Sequence, residues 1–95
     1  MSSQIWASKV LGFSAKTLLS VVVQYQGKPV ALETLSAIAK LDKLEALAIL
    51  RDAEARGILR FNRTHLAGEK HFYWVNLDVI TALDAQYSEV DDEPQ

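Results

Sequence analysis

Two segments with helical periodicity stand close together in the middle of this chain and limit the folds that it can adopt. In the first, apolar residues recur at the spacing of one helical face, at Leu32, Leu35, Ile38 and Ala39. That spacing predicts a helix over residues 32–40. Asp42, with Glu45 three residues later, fits a capping box that starts a second helix, and Gly57 ends that helix after residue 56. Two helices joined by so short a turn are typical of a helix-turn-helix unit.

The second helix has more apolar residues than one buried face needs. A helix turns by about 100° per residue, which divides these residues into two sets. The set that suits a core is Ala46, Ile49, Leu50 and Ala53. The set on the opposite side is Leu44, Leu47, Ala48 and Ala55. The helix therefore has a second, outer apolar face in need of a role.

The segments before this pair predict two further helices. Residues 4–12 predict a short helix that ends at Gly12. Ser14 is predicted to cap a helix over residues 14–26, because its side-chain oxygen can accept a hydrogen bond from a first-turn amide. Three consecutive valines near the far end of that helix suit a strand equally well. Pro29 favours a short extended segment before the helix-turn-helix unit.

The pattern after Gly57 changes to branched and aromatic residues. The stretches ILRFNRT and HFYWVN, joined by a loop that contains a glycine, predict a β-hairpin. Its aromatic residues are predicted to pack into the core: Phe72, Tyr73 and Trp74. Residues 77–87 predict a final helix that turns Val79, Leu83 and Tyr87 inward.

Charge divides the chain into an arm (1–13), a central domain (14–87) and an acidic tail (88–95). The tail carries four carboxylates, on Glu89, Asp91, Asp92 and Glu93. The formal net charge is −2, but without the tail ten basic residues stand against eight acidic ones, which makes +2. A short acidic segment has too little apolar surface to fold, so we expect disorder there. The remaining body is weakly basic, which permits nucleic-acid binding.

Length and composition restrict the other classes of protein. Ninety-five residues are enough for one modest core. The sequence has no cysteine, which excludes disulfides and thiolate sites. No apolar run reaches the length of a membrane span, and the first residues do not resemble a secretory signal, so we expect a cytoplasmic protein. An apolar content of 49% indicates a buried interface.

Evidence for catalysis is thin. His65 and His71 lie six residues apart across a hairpin loop without an obvious third ligand, which is a weak metal pattern. The sequence contains neither a nucleophile elbow nor a phosphate-binding loop. We therefore expect no enzyme, no catalytic residues, no metal and no cofactor.

The stretch KPVALETLSAIAKLDKLEALAILRDAEARGILRF resembles the winged helix-turn-helix domain of bacterial MarR-like regulators. It has a small strand, a helix with Leu35 and Ala39 in a Leu-x-x-x-Ala pattern, a turn, and a longer recognition helix. Gly57 and two apolar residues then lead into the wing. Ala53 stands where leucine is usual. The resemblance covers residues 14–76 and implies an α+β fold: a three-helix core with a β-hairpin wing, here with additional N- and C-terminal helices.

The resemblance also implies double-stranded DNA as the partner, in transcriptional regulation or DNA maintenance. It turns one set of residues of the recognition helix toward DNA: Lys43, Leu44, Leu47, Ala48 and Arg51. The wing would add Arg60, Arg63 and Lys70. Base edges are read mainly by polar side chains, so the two leucines depart from a DNA-reading surface. They could pack inside the same chain under residues 4–12, or bind a protein partner. The basic hairpin could equally be an ordinary solvated one.

The terminal helices carry apolar residues beyond the needs of a peripheral helix. Similar regulators commonly form dimers through helices that flank the wing domain, which places two recognition helices about 34 Å apart on successive major grooves. We therefore predict a homodimer with Trp6 near its centre and Leu83 in its interface.

Overall fold

The computed structural model describes residues 3–63 and 70–91. In chain order its elements are α1 (Ser3–Ala7), α2 (Phe13–Gln24), α3 (Leu32–Ala39), α4 (Lys43–Ala55), β1 (Leu59–Arg63), β2 (His71–Val75) and α5 (Leu77–Asp91). Within the described ranges, none of the helices combines the length and apolarity of a membrane span.

The fold is α+β, as predicted, with a helix-turn-helix followed by a two-stranded hairpin. Strands β1 and β2 pair antiparallel, with Leu59 opposite Val75. On its other edge β2 pairs with Val30, which exchanges two 3.0 Å backbone hydrogen bonds with His71. The extended segment before α3 therefore lies beside the hairpin, as a winged helix-turn-helix requires.

One core joins the terminal helices to the helix-turn-helix and the hairpin. Its largest fully buried side chains come from α1, α2, α3, α5 and the start of the hairpin: Ile5, Leu18, Leu19, Val22, Leu35, Ile58, Leu59 and Ile80. The predicted inner face of α4 is confirmed, because Ala46, Leu50 and Ala53 are buried and Ile49 packs against the core. Burial of this face turns the second apolar set of α4 outward.

The turn between α3 and α4 depends on one left-handed residue. Lys40 has φ 59° and ψ 43°, a conformation that residues other than glycine rarely adopt. It allows the Leu41 amide to donate to the Ser36 carbonyl at 2.9 Å, which closes the end of α3. Asp42 occupies the N-cap of α4 as predicted, but its side chain makes no capping bond to the amides of that helix. Gly57, with φ 77°, follows α4 as predicted.

Helix α1 is shorter than predicted because an acidic side chain accepts hydrogen bonds from the residues that follow it. The Asp84 carboxylate on α5 accepts from Ser8 Oγ at 2.9 Å, the Lys9 amide at 3.0 Å and the Val10 amide at 3.2 Å. These bonds hold residues 8–10 in a turn. The prediction of a helix over residues 4–12 is therefore wrong beyond Ala7.

Helix α2 begins before its predicted cap. Gly12 takes the N-cap position with extended backbone, and its carbonyl accepts from the Lys16 amide at 2.9 Å. Ser14 lies inside the first turn, so its predicted capping role is wrong. The three valines belong to α2, which ends at Gln24.

The predicted apolar face of α3 is only partly buried, and two predictions of inward-facing residues are wrong. Ile38 is 46% exposed, because α3 packs through the narrower stripe of Leu35, Ser36 and Ala39. Tyr87 is 46% exposed as well; among the described side chains of α5, the last one that packs against the core is Leu83. Phe72 and Trp74 are only half-buried, because alternation along β2 turns them away from Tyr73.

Helix α5 continues through Asp91, four residues beyond the predicted domain end at residue 87. The remaining residues of the predicted acidic tail, 92–95, lie outside the described residues. So do the first two residues of the chain and the hairpin loop 64–69, which contains His65.

Candidate nucleic-acid interface

The outer face of α4 is turned to solvent. Lys43, Leu44, Ala48 and Arg51 are all exposed, and Leu47 is half-buried. Leu44 is 74% exposed, which is unusual for a leucine in a small domain. We call these five residues the α4 outer face.

The N-terminal arm does not cover Leu44. Residues 3–7 pack against α2 and α5, and the Val10 carbonyl accepts from Arg56 Nη1 at 3.1 Å, just beyond the far end of α4. The alternative in which the arm buries the outer leucines is therefore wrong for Leu44. Arg56 also pairs with Asp52 on α4 at 2.7 Å. Arg56 therefore connects the arm to the end of α4.

The two cations of the α4 outer face stand in different electrostatic settings. Lys43 pairs with Glu33 on α3 at 3.7 Å. Both side chains are largely exposed, so this ion pair is weak and a phosphate could replace the carboxylate. Arg51 has no ion pair in the described part of the chain. Arg51 is therefore the better placed of the two to contact a polyanion.

The hairpin has two distinct faces. Leu59 on β1 and Tyr73 and Val75 on β2 point into the core, because side chains alternate between the two faces along each strand. The inner face also carries a contact between the Phe61 and Tyr73 rings, whose centroids lie 5.8 Å apart. Burial raises the pKa of the Tyr73 phenol above its ordinary value. The Tyr73 phenol therefore stays neutral near pH 7.

The opposite face carries Arg60 and Asn62 on β1 and Phe72 and Trp74 on β2, which we call the hairpin outer face. Arg60 lies directly across from Trp74, and Asn62 from Phe72. The Phe72 and Trp74 rings stack with an interplanar angle of 19° and centroids 6.1 Å apart. The sequence pattern predicted both rings in the core. Their two-residue spacing around the buried Tyr73 is the signal that could have placed them outside.

An open groove of about 600 Å³ runs beside this face. Arg60, Asn62 and Trp74 line it, together with Gln26 from the turn after α2 and Asp78 from the first turn of α5. Gln26 is held in place because its Oε1 accepts from the Val75 amide at 3.0 Å. The groove falls within the size range of ordinary ligand sites and mixes aromatic, amide and charged groups.

The other predicted hairpin cations are only partly described. Lys70 is exposed just before β2. Arg63 pairs with His71 through the backbone, but its side chain lies outside the described residues. Among the described residues, no group of three histidine or acidic side chains could hold a metal ion.

The predicted dimer residues have different surroundings. Trp6 is 39% exposed and its ring centroid lies 6.0 Å from that of Phe13, which is 76% exposed. Leu83 is half-buried against the core. Phe13 was not predicted at this surface, although it directly follows Gly12 in the sequence and stands near Trp6. Trp6 on α1 and Phe13 at the start of α2 therefore form an exposed aromatic pair.

Comparison with known proteins gives a likeness of fold. The sequence matches no protein-family model, and no curated protein shows significant similarity to it. Among solved structures, a possible transcriptional regulator from Methanosarcina mazei Go1 superposes with a TM-score of 0.63 and 13% sequence identity. The match covers 93% of this chain and 76% of that chain. At this identity the likeness establishes the fold that the two chains share.

Proposed function

We propose that this chain is a double-stranded-DNA-binding protein of the winged-helix class, acting in transcriptional regulation or DNA maintenance in the cytoplasm rather than as an enzyme. The observation that carries the proposal is the solvent-facing side of α4, from Lys43 to Arg51, next in the chain to a hairpin whose outer face holds Arg60. A recognition helix and a basic wing are the two parts through which such domains contact DNA.

Two further observations support this function. The solved structure with the same fold is described as a possible transcriptional regulator. The body of the chain before residue 88 carries a formal charge of +2, which suits a polyanionic partner. A closer relation to the MarR-like group remains a proposal that rests on the sequence pattern alone.

The test is a titration of random-sequence duplex DNA at two salt concentrations. Replacement of Arg51, Arg60 and Arg63 together by alanine should weaken binding to all sequences. Each lost phosphate contact should reduce the salt slope by about 0.9, so three lost contacts correspond to about 2.7. Lys9→Ala, a change of one exposed cation in the arm, serves as the control and should leave the slope nearly unchanged. Tight binding that survives the triple substitution would refute these contacts.

A second candidate function is supported by the exposure of Leu44. Leu44 is 74% and Ile38 46% exposed, and two exposed apolar side chains close to one turn suit a protein partner. In this alternative the α4 outer face, with Leu44 and Leu47, docks another protein as an adaptor or assembly subunit. Leu44→Asp separates the two functions when it is compared with Arg51→Ala. DNA binding that depends on Arg51 supports the first function, and absence of duplex binding at low salt favours the second.

We also propose a homodimer that forms through the exposed aromatic surface of the terminal helices. Ile5 and Ile80 are buried in the core, whereas three aromatic side chains are exposed and could be covered by a second copy: Trp6 on α1, Phe13 at the start of α2 and Tyr87 on α5. A two-fold axis would let one such patch pack on its own copy. Two recognition helices could then lie about 34 Å apart along one face of DNA.

A further inference from the structure

The hairpin outer face combines stacked aromatic rings with hydrogen-bonding and cationic groups. Phe72 and Trp74 stand two residues apart on β2, and their rings stack on each other. Both remain half-buried although they point away from the core. Proteins stack unpaired bases on aromatic rings that are partly open to solvent in this way, because every base offers an aromatic face.

The groups across the strand suit the other parts of a nucleotide. Arg60 is the cross-strand partner of Trp74, and Asn62 is the partner of Phe72. A guanidinium can hold a phosphate, and a side-chain amide can donate to and accept from a base edge. Gln26 adds a second amide at the wall of the groove, where its oxygen is already engaged by the Val75 amide. Its amino group therefore remains as the donor.

The charged side chains that line the groove differ in sign and come from different elements. Arg60 lines the groove from β1, whereas Asp78 lines it from the first turn of α5. A phosphate backbone would be attracted by the Arg60 guanidinium and repelled by the Asp78 carboxylate. A bound strand should therefore leave the groove on the hairpin side and avoid α5.

The α4 outer face lacks these groups. Leu44, Leu47 and Ala48 provide no donors for base edges, and of its two cations Lys43 already pairs with Glu33. Nucleobase-binding chemistry is therefore concentrated on the hairpin. We propose that the hairpin outer face binds unpaired nucleotides of a DNA strand by stacking on Trp74, so that the preferred DNA is a duplex with a single-stranded end. This inference rests on the proposed DNA-binding function, and it specifies which DNA is bound.

The test compares a blunt duplex with the same duplex carrying a short oligothymidine tail. The tailed duplex should bind more tightly to the wild type. Trp74→Ala should weaken binding of the tailed duplex by about 5- to 140-fold, the range for one lost base stack. It should leave the blunt duplex nearly unaffected. Trp74→Phe keeps a ring and should retain most of the preference, whereas Gln86→Ala, a change at an exposed position of α5, should change neither affinity.

A second measurement keeps the proposal testable if Trp74→Ala fails to fold. In the variant Trp6→Phe, Trp74 is the only tryptophan, and stacking of oligothymidine on it should quench its fluorescence. Asp78→Asn should tighten binding of the tailed duplex, because it removes the one carboxylate that lines the groove within the described part of the chain.

The outcomes separate this inference from the proposed function. Binding of blunt and tailed duplexes with equal affinity, without quenching of Trp74, would overturn the inference and leave the DNA-binding function standing. Binding of oligothymidine without any duplex binding would overturn the duplex function and support the hairpin site. An RNA tail that binds more tightly than the DNA tail would overturn the assignment of DNA as the strand.

Discussion

Replacement of Asp84 by alanine should detach the N-terminal arm from α5. One carboxylate oxygen of Asp84 accepts from Ser8 Oγ at 2.9 Å, the Lys9 amide at 3.0 Å and the Val10 amide at 3.2 Å. Ser8 is 3% exposed, so its hydroxyl cannot easily find water instead. Val10 in turn accepts from Arg56, which links the same turn to the end of α4.

The size of the effect follows from these contacts. A hydrogen bond to a charged group contributes about 1.5–3 kcal/mol, and a buried donor left unpaired costs about 1–3 kcal/mol. The three bonds share one oxygen and the Lys9 amide can be solvated, so their contributions do not add in full. We expect a loss of about 3 kcal/mol in the free energy of unfolding. For a domain of this size that loss lowers Tm by about 12–24 °C.

Urea and thermal unfolding, followed by circular dichroism and by tryptophan fluorescence, measure this loss. Asp84→Asn keeps an oxygen acceptor and should lose clearly less than Asp84→Ala. Gln86→Ala, at an exposed position of the same helix, should change the stability by less than about 0.5 kcal/mol. The emission of Trp6 should shift toward that of a solvated indole in Asp84→Ala alone. An alanine variant within about 0.5 kcal/mol of wild type would refute the argument that this carboxylate holds the arm.

Three other predictions concern single side chains. Because burial raises the pKa of Tyr73, the unfolded state loses its phenolic proton first, and stability should fall as the pH rises from about 10 through the raised value. The free energy of unfolding, measured with urea at several pH values, should fall less on the alkaline side in Tyr73→Phe than in the wild type. Tyr87→Phe is the matching control and should show the same alkaline loss as the wild type. Lys40→Gly should stabilise the fold by up to about 1 kcal/mol, because Lys40 has φ 59°; a lower urea midpoint would contradict this. Sedimentation should show a wild-type dimer that is weakened by Trp6→Ala and by Phe13→Ala; a wild-type monomer at micromolar concentration would reject the dimer.

Local rules were sufficient for much of the fold. The period of apolar residues predicted the helix-turn-helix, and Gly57 marked the end of α4 because its positive φ suits glycine. Alternation of side chains along a strand places Leu59 and Arg60 on opposite faces of the hairpin. The two apolar faces of α4 were visible in the sequence as well, because helix geometry depends only on spacing along the chain.

The remaining features depend on contacts between residues far apart in the chain. Asp84 ends α1 from 76 residues beyond Ser8, and no local pattern indicates such a bond. The exposure of Leu44 was equally beyond local rules, because only the packing of the arm on α2 and α5 decides that nothing in the described chain covers it. The groove beside Trp74 forms because the turn after α2 and the start of α5 meet at the hairpin. Periodicity along the sequence thus determined which faces are apolar, and tertiary packing alone decided which of those faces are buried.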